Sequence, residues 1–340
     1  MKLQIEKCLS GSNLTVEESS LALDMILTGQ ATEAQIGGLL VALRAKGETV
    51  DELVGFAQIL RDRGIQLKID DPDAIDMCGT GGDGLGTFNI STVSSFVVAG
   101  AGVTVAKHGN RSVSSKSGSA DVLDALGVNV QCSPETVQEC INRIGIGFLF
   151  APMFHPAMKH VAKPRMELGV RSIFNMLGPL INPAGVQRQL IGAYHTVAMT
   201  LLAGALRELG TVKACIVHSD DGMDEVTLSG STGILEVNGR GELNAYKVQP
   251  TDFGLPSHSL DSIQGGEKEV NAEIALSVLR GEASPARDVV VANAAMGLYV
   301  AGKAATLPEG KDMAVDSIDS GKAMEKLQHL IVLTTAYEYT

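Results

Sequence analysis

Gly79-Thr80-Gly81-Gly82-Asp83, then Thr87-Phe88-Asn89-Ile90-Ser91-Thr92, then Lys107-His108-Gly109-Asn110-Arg111 crowd into the stretch 79–111. The short apolar run Ala74 to Met77 before it and Val103 to Ala106 near its end read as strands, with Ser91 to Ala101 as the helix between them. Strand, glycine turn, helix and strand form the repeating unit of an α/β fold. Glycine serves where φ is positive or where backbone must approach another group closely. Three glycines interleaved with Thr and Asp at a strand end make either a tight turn with an N-cap or a nest of N–H groups for an anion. Asn89, Ser91 and Thr92 fall at the following helix N-terminus, where free N–H groups and the helix dipole also favour an anion. Lys107 and Arg111 add cations after the second strand, so the three clusters together weigh towards phosphate.

Beyond this stretch, Ser112-Val113-Ser114-Ser115-Lys116-Ser117 precede a short helix from Ser119 to Leu126, closed by Gly127. Alone, such a serine run is equally compatible with a solvated loop; after Lys107 and Arg111 it reads as the rest of a polar, cationic cradle. Ser133-Pro134 opens a helix reaching Arg143, by the preference for Pro at the first helical position, and Gly147 to Phe150 resumes the sheet. Prolines at 156, 164, 179 and 183 break the next section, which carries Arg165 and Arg171, into pieces suited to a crossing between domains. Val212 to His218 reads as a strand ending in Ser219-Asp220-Asp221-Gly222-Met223-Asp224-Glu225. Adjacent carboxylates there are either a solvated acidic turn or a site for a hard cation; beside a phosphate site, the cation is favoured. Short strands follow from Gly230 to Pro256, then helices at Glu273–Arg280, Ala286–Gly302 and from Ala323, with no evident chemistry.

Residues 1 to 65 read as short helices. Thr15 with Glu18, Thr32 with Gln35 and Thr49 with Glu52 have capping-box spacing, and Gly29, Gly47 and Gly64 occupy the matching positions after the helix ends. Ile36, Leu39, Leu40 and Leu43, and then Leu53, Phe56, Ala57 and Leu60, recur at i, i+3, i+4 and i+7, one apolar face per helix. So thin a bundle must pack on another part of the chain or on a second subunit.

The 340 residues suit one large and one smaller domain, and 45% hydrophobic with 19% charged residues provides a sizeable buried core. A net charge of −12 without any basic run argues against general nucleic-acid binding. Five cysteines, at 8, 78, 132, 140 and 215, are odd in number and lack close metal-ligand spacing, which reads as reduced thiols and a cytoplasmic location. The N-terminus lacks the apolar run of a signal peptide. The apolar windows Ser95–Ala106 and Val289–Gly302 are too short to span a bilayer.

Taken in order, Gly79–Asp83, Asn89–Thr92, Lys107–Arg111, Ser115–Ser119, Arg165 and Asp224-Glu225 resemble the anthranilate phosphoribosyltransferases. Gly29-Gln30-Ala31-Thr32, Arg44-Ala45-Lys46-Gly47-Glu48-Thr49 and the run Phe174-Asn175-Met176-Leu177-Gly178-Pro179-Leu180-Ile181-Asn182-Pro183 resemble the same family, so the likeness covers nearly the whole chain. Departures are Ser172, where Thr is expected, and Ser219 with extra Asp residues before Gly222-Met223-Asp224-Glu225.

The resemblance implies a small helical domain, 1–65 plus about 165–185, hinged to a large α/β domain, 70–164 and 186–340, in a homodimer formed through the small domain. It implies transfer of phosphoribose from 5-phosphoribosyl 1-pyrophosphate (PRPP) to the amine of anthranilate, in tryptophan biosynthesis. In the family, PRPP is enclosed by the residues matching Gly79, Gly82, Asp83, Thr87, Asn89, Ile90, Ser91, Thr92, Lys107, His108, Gly109, Asn110, Arg111, Ser112, Val113, Ser114, Ser115 and Ser119. Gly79, Asn110 and Arg165 match anthranilate contacts, with His108 and His155 as candidates along its entry path. Ser91, Asp224 and Glu225 match ligands of Mg²⁺, of which two ions are implied. Two other readings fit this layout. A pyrimidine nucleoside phosphorylase would need no metal pair, and Asp224-Glu225 with Asn89–Thr92 argue against it. A non-catalytic nucleic-acid-binding relative is disfavoured by the charge.

Overall fold

In a computed structural model, which describes residues 1–112 and 116–336, the chain opens with four helices, α1 (Lys2–Leu9), α2 (Val16–Leu27), α3 (Glu33–Lys46) and α4 (Val50–Arg63). Thr15, Thr32 and Thr49 each accept from the amide three residues on, and Glu18, Gln35 and Glu52 bond back, as the spacing predicts. Gly29 and Gly47 have the left-handed φ of such ends, +73° and +88°. Gly64 differs, with φ −78°. Glycine is needed there for room: a Cβ would lie 2.9 Å from His155 Nδ1 and 3.0 Å from the Leu60 carbonyl. The apolar stripes of α3 and α4 are buried, together with Ile173, Phe174 and Leu177 and with Leu202 and Leu206 from further along the chain. The thin bundle thus completes its core from within the same chain.

The remainder is a seven-stranded sheet with flanking helices. In chain order come β1 (Ile75–Gly79), α5 (Ile90–Gly100), β2 (Val105–Gly109), α6 (Ser119–Ala125), α7 (Pro134–Ile144), β3 (Ile146–Phe150), α8 (Ala151–Phe154), α9 (Lys159–Leu168), α10 (Phe174–Leu177) and β4 (Arg188–Gly192). Then follow α11 (Thr196–Glu208), β5 (Lys213–Ser219), β6 (Thr232–Asn238), β7 (Asn244–Val248), α12 (Lys268–Leu279), α13 (Pro285–Val300), α14 (Leu307–Asp319) and α15 (Lys322–Thr335). Pro164 lies inside α9 rather than ending it.

The strand order is β3-β2-β1-β4-β5-β6-β7. The first five are mutually parallel, and β6 and β7 are antiparallel additions. From β1 the chain winds outward to β2 and β3, then returns to place β4 on the other side. Such a reversal opens a crevice at the carboxyl ends of the two central strands, where ligands of open α/β sheets bind. Gly79 and Gly192 face one another at that point.

Neither β4 nor α11 was signalled by periodicity. The strand reads Arg-Gln-Leu-Ile-Gly, and its polar Gln189 is buried because its Nε2 donates to the Pro179 carbonyl at 2.7 Å. No helix among the described residues is long and apolar enough to cross a membrane. All five cysteines are buried and unpaired.

Candidate active site

The glycine turn, the residues after Lys107-His108-Gly109 and the acidic turn all follow carboxyl ends of parallel strands, whereas Arg165 lies on α9. Residues 80–89 leave β1, 110–112 leave β2, 151–155 leave β3 and 220–225 leave β5. The β1 turn is held by its neighbour β4: Thr80 N–H donates to the Gly192 carbonyl at 2.8 Å, and Tyr194 N–H donates to Thr80 Oγ1 at 3.0 Å. Gly81 and Gly82 have φ of +64° and +80°, which only glycine adopts without strain. Gly192 is required by closeness instead, since a Cβ would fall 1.7 Å from the Asp224 carbonyl oxygen. No sequence signal marked it.

The acidic turn after β5 meets the start of α5. Ser91 N–H donates to Glu225 Oε1 at 3.0 Å, so one of the free amides of that helix already holds a carboxylate. Asp224 N–H donates to Asp83 Oδ2 at 3.4 Å, bringing a third acid alongside. Withdrawal from water and repulsion by Asp83 and Glu225 push the Asp224 carboxyl well above the usual range, and withdrawal from water lifts Glu225 to about 7. Buried Lys107 supplies the opposing charge. Its Nζ donates to the Met77 carbonyl and, at 3.4 Å, to Ser91 Oγ. Burial lowers the Lys107 pKa, while Asp76 beside it works against the shift.

Asp76, fully buried on β1, was missed in the sequence because it sits inside an apolar strand run. It accepts from His108 N–H at 3.0 Å and from Asn182 Nδ2 at 2.8 Å. Asn182 Nδ2 also reaches the Ala106 carbonyl at 2.8 Å, tying the segment before β4 to both strands.

His108 and His155 lie together, ring centroids 5.5 Å apart. Burial, with repulsion between the rings for His108, depresses them to about 3 and about 4. His108 Nδ1 lies 3.0 Å from the Gly178 carbonyl, which can only accept, so Nδ1 carries the proton. Nε2 is buried without a partner.

Arg165 stands on α9 with its guanidinium 5.1 Å from the centre of the Phe174 ring. No carboxylate among the described residues pairs with it, and burial lowers its pKa. Arg111, by contrast, is held by Asp121 at 2.8 Å and Asp124 at 2.6 Å, so its charge is already spent within the fold.

Asn110, exposed, accepts from Arg111 N–H through Oδ1 at 2.8 Å, and its carbonyl accepts from Ser119 Oγ at 3.2 Å. Gly109 leaves room for that serine, a Cβ there falling 2.4 Å from Ser119 Oγ. Ser112 N–H donates to Asp121 at 3.1 Å. Thr87 forms an isolated bridge with Gln264, Ile90 is buried at the start of α5, and buried Thr92 has an unpartnered hydroxyl. Val113, Ser114 and Ser115 lie outside the described residues.

Nothing in the sequence assigns Arg171 a role. Its guanidinium lies 4.3 Å from the centre of the Tyr194 ring and donates to the Gly82 carbonyl. It joins the segment beside Phe174 to the glycine turn.

Comparison with known proteins agrees with this layout. Residues 4–64 match the helical bundle domain of a glycosyl transferase family, and residues 71–324 match the a/b domain of a glycosyl transferase family. Anthranilate phosphoribosyltransferase of Petrotoga mobilis is 48% identical over 97% of this chain and 96% of its own length. The crystal structure of the Thermus thermophilus enzyme of that name superposes with TM-score 0.92 at 40% identity, covering 97% of this chain and 99% of that one. The Saccharomyces cerevisiae enzyme in complex with PRPP and Mg superposes with TM-score 0.89 at 28% identity, covering 98% of each chain. These matches favour the anthranilate reading over the phosphorylase and nucleic-acid alternatives. Related over 97% of its length to enzymes of one name and superposing closely on solved structures of that name, the chain belongs to the anthranilate phosphoribosyltransferase family.

Proposed function

We propose that the crevice between β1 and β4 takes PRPP with Mg²⁺ on the α/β side and anthranilate on the side of α9, and joins them. The observation that carries this is the Ser91 N–H to Glu225 contact, which unites a helix N-terminus suited to phosphate with an acidic turn suited to a metal. The anthranilate nitrogen attacks the anomeric carbon of the ribose. A C–N bond forms, the bond to pyrophosphate breaks, and the amine proton leaves to solvent or to a pyrophosphate oxygen. The products are N-(5-phosphoribosyl)anthranilate and pyrophosphate.

Because that amine is already neutral near pH 7, the residues need supply no strong base; their work is placement and charge. Gly79, Gly82 and Asp83 face the pyrophosphate. Thr87, Asn89 to Thr92, Lys107 to Ser112 and Ser119 enclose the phosphoribosyl group. Arg165, an unpaired cation on an aromatic ring, takes the anthranilate carboxylate in a bidentate fork. Gly79 and Asn110 border the ring and amine, and neutral His108 and His155 line the approach.

The donor set fits Mg²⁺. Asp224 and Glu225 are hard-oxygen ligands whose carboxyls are raised chiefly by withdrawal from water, with repulsion from Asp83 and Glu225 added at Asp224, and the Ser91 side chain lies beside Glu225. Mg²⁺ prefers one or two carboxylates plus waters and substrate phosphates, a set that Asp224, Glu225 and a bound pyrophosphate would supply together. Bound there, up to two ions would neutralise charge developing on the pyrophosphate.

We assign residues 1–65 and about 165–185 to the small domain, and 70–164 and 186–340 to the large one. Exposed Leu3, Leu9 and Leu21 on α1 and α2 support a homodimer through the small domain. The reduced cysteines support a cytoplasmic location. The reaction is tested by identifying both products by mass spectrometry after incubation with PRPP, anthranilate and Mg²⁺; free ribose 5-phosphate in place of the adduct would contradict it.

A further inference from the structure

We infer that Asn271, on α12 and distant in sequence from every glycine-turn residue, is a positioning residue for the phosphoribosyl subsite, acting through Asn89. The inference rests on the reading of that crevice as the PRPP site.

Asn271 is buried, 2% exposed. Its Nδ2 donates to Asn89 Oδ1 at 3.0 Å, and its Oδ1 accepts from Gly266 N–H at 2.7 Å. Asn89 Nδ2 in turn donates to the Ser117 carbonyl at 3.1 Å. Two backbone groups fix the polarity of this relay. The Ser117 carbonyl can only accept, so Asn89 must present its nitrogen there and its oxygen to Asn271. Gly266 N–H can only donate, so Asn271 must present its oxygen there and its nitrogen to Asn89.

The segment that leads into α12 also lies along the same stretch of the β1 turn. Gly265 N–H donates to the Gly86 carbonyl at 2.8 Å. A Cβ on Gly265 would meet Phe88 N at 2.7 Å, so Gly265 is glycine to permit that approach. Residues 265–271 therefore hold Gly86 to Asn89 from behind, and Asn271 sets the rotamer of Asn89 together with its distance from the loop after β2. Loss of the Asn271 amide frees Asn89 to turn and detaches the α5 start from that loop.

The test is a double-mutant cycle of wild type, Asn89→Ala, Asn271→Ala and the double variant. Each is titrated with PRPP and Mg²⁺ by calorimetry and assayed for the anthranilate KM at saturating PRPP. Asn271→Ala should weaken PRPP about tenfold, the scale of one buried hydrogen bond, with the anthranilate KM within about twofold of wild type. If Asn271 acts through Asn89, the double variant matches Asn89→Ala within about twofold, whereas independent effects multiply. Multiplying losses, or PRPP affinity in Asn271→Ala equal to wild type, would overturn the inference. Should Asn271→Ala not fold, Asn271→Ser takes its place in the cycle with the same expected outcomes. Wild type that fails to bind PRPP would refute the reading of the crevice and this inference with it; wild type that binds beside an indifferent Asn271 variant refutes the inference alone.

Discussion

Ser91 N–H and Glu225 Oε1 stand 3.0 Å apart although 134 positions separate the two residues in sequence. The contact is possible because β1 and β5 flank β4, so the loops after β1 and β5 open onto one crevice. A carboxylate placed on a helix N-terminus is stabilised by the helix dipole, and Lys107 behind Ser91 balances it.

Replacing Asp224 by Asn removes one of the crowded acids and should make activity demand more Mg²⁺. The half-saturating Mg²⁺ concentration is expected to rise by about tenfold or more, a loss of over ~1.4 kcal/mol. A metal titration of initial rate checks it, and an unshifted curve removes Asp224 from the ion's environment.

Arg165→Ala should act on one substrate only. Hydrogen bonds to a charged group contribute about 1.5–3 kcal/mol, so the anthranilate KM should rise roughly 10- to 100-fold with the PRPP KM little changed. Equal effects on both constants would indicate a general loss of structure.

Gly192→Ala tests the role of closeness. Since the added Cβ would stand 1.7 Å from the Asp224 carbonyl, the acidic turn must shift. Overpacking of this kind costs about 1–3 kcal/mol. Both a lowered Tm and a raised Mg²⁺ requirement are expected, whereas a Tm effect with normal metal dependence would separate the turn from the metal.

His108 and His155 bear on acid stability. Both are depressed in the folded chain, to about 3 and about 4, from an unfolded value of about 6.5. The unfolded state therefore binds more protons as pH falls below about 6.5, and folding stability declines until the folded values are reached. Each histidine contributes a slope of up to about 1.4 kcal/mol per pH unit in that window. Raised Glu225 acts in the opposite sense, so the informative quantity is the difference between wild type and a His155→Gln variant. Denaturant midpoints at pH 6.5 and 5 should converge on acidification; a constant gap would show that His155 binds protons alike in the folded and unfolded chain, its pKa unshifted by burial.

Leu3 and Leu9 are 77% and 71% exposed, two large apolar side chains that α1 leaves at the surface. Light scattering should give wild type about twice the monomer mass of 35.6 kDa. Leu3→Glu with Leu9→Glu should give the monomer; monomeric wild type at micromolar concentration would rule out the dimer.

Much of this was legible in the sequence because its signals are local. The three capping boxes depend on residues three apart, and the glycine turn and its following helix are contiguous. The resemblance drew on those runs and located Arg165, which isolated reading leaves as one surface arginine among many. What stayed hidden depends on long-range contacts. Gln189 disguises β4 because its partner, the Pro179 carbonyl, becomes visible only in the fold. Asp76 passes unnoticed inside an apolar strand run until the fold surrounds it with Asn182 and His108. Gly192 and Asn271 carry no local pattern, and their constraints come from Asp224 and Asn89, which are distant in sequence. Arg111 illustrates the opposite case: it reads as a free cation, yet Asp121 and Asp124 hold it.

Loss of anthranilate fluorescence tests the central claim most directly. With PRPP and Mg²⁺ both present, fluorescence should fall at a rate proportional to enzyme, and omission of either should abolish the fall. A signal that persists under every metal condition tried, or decays equally without PRPP, would contradict the account.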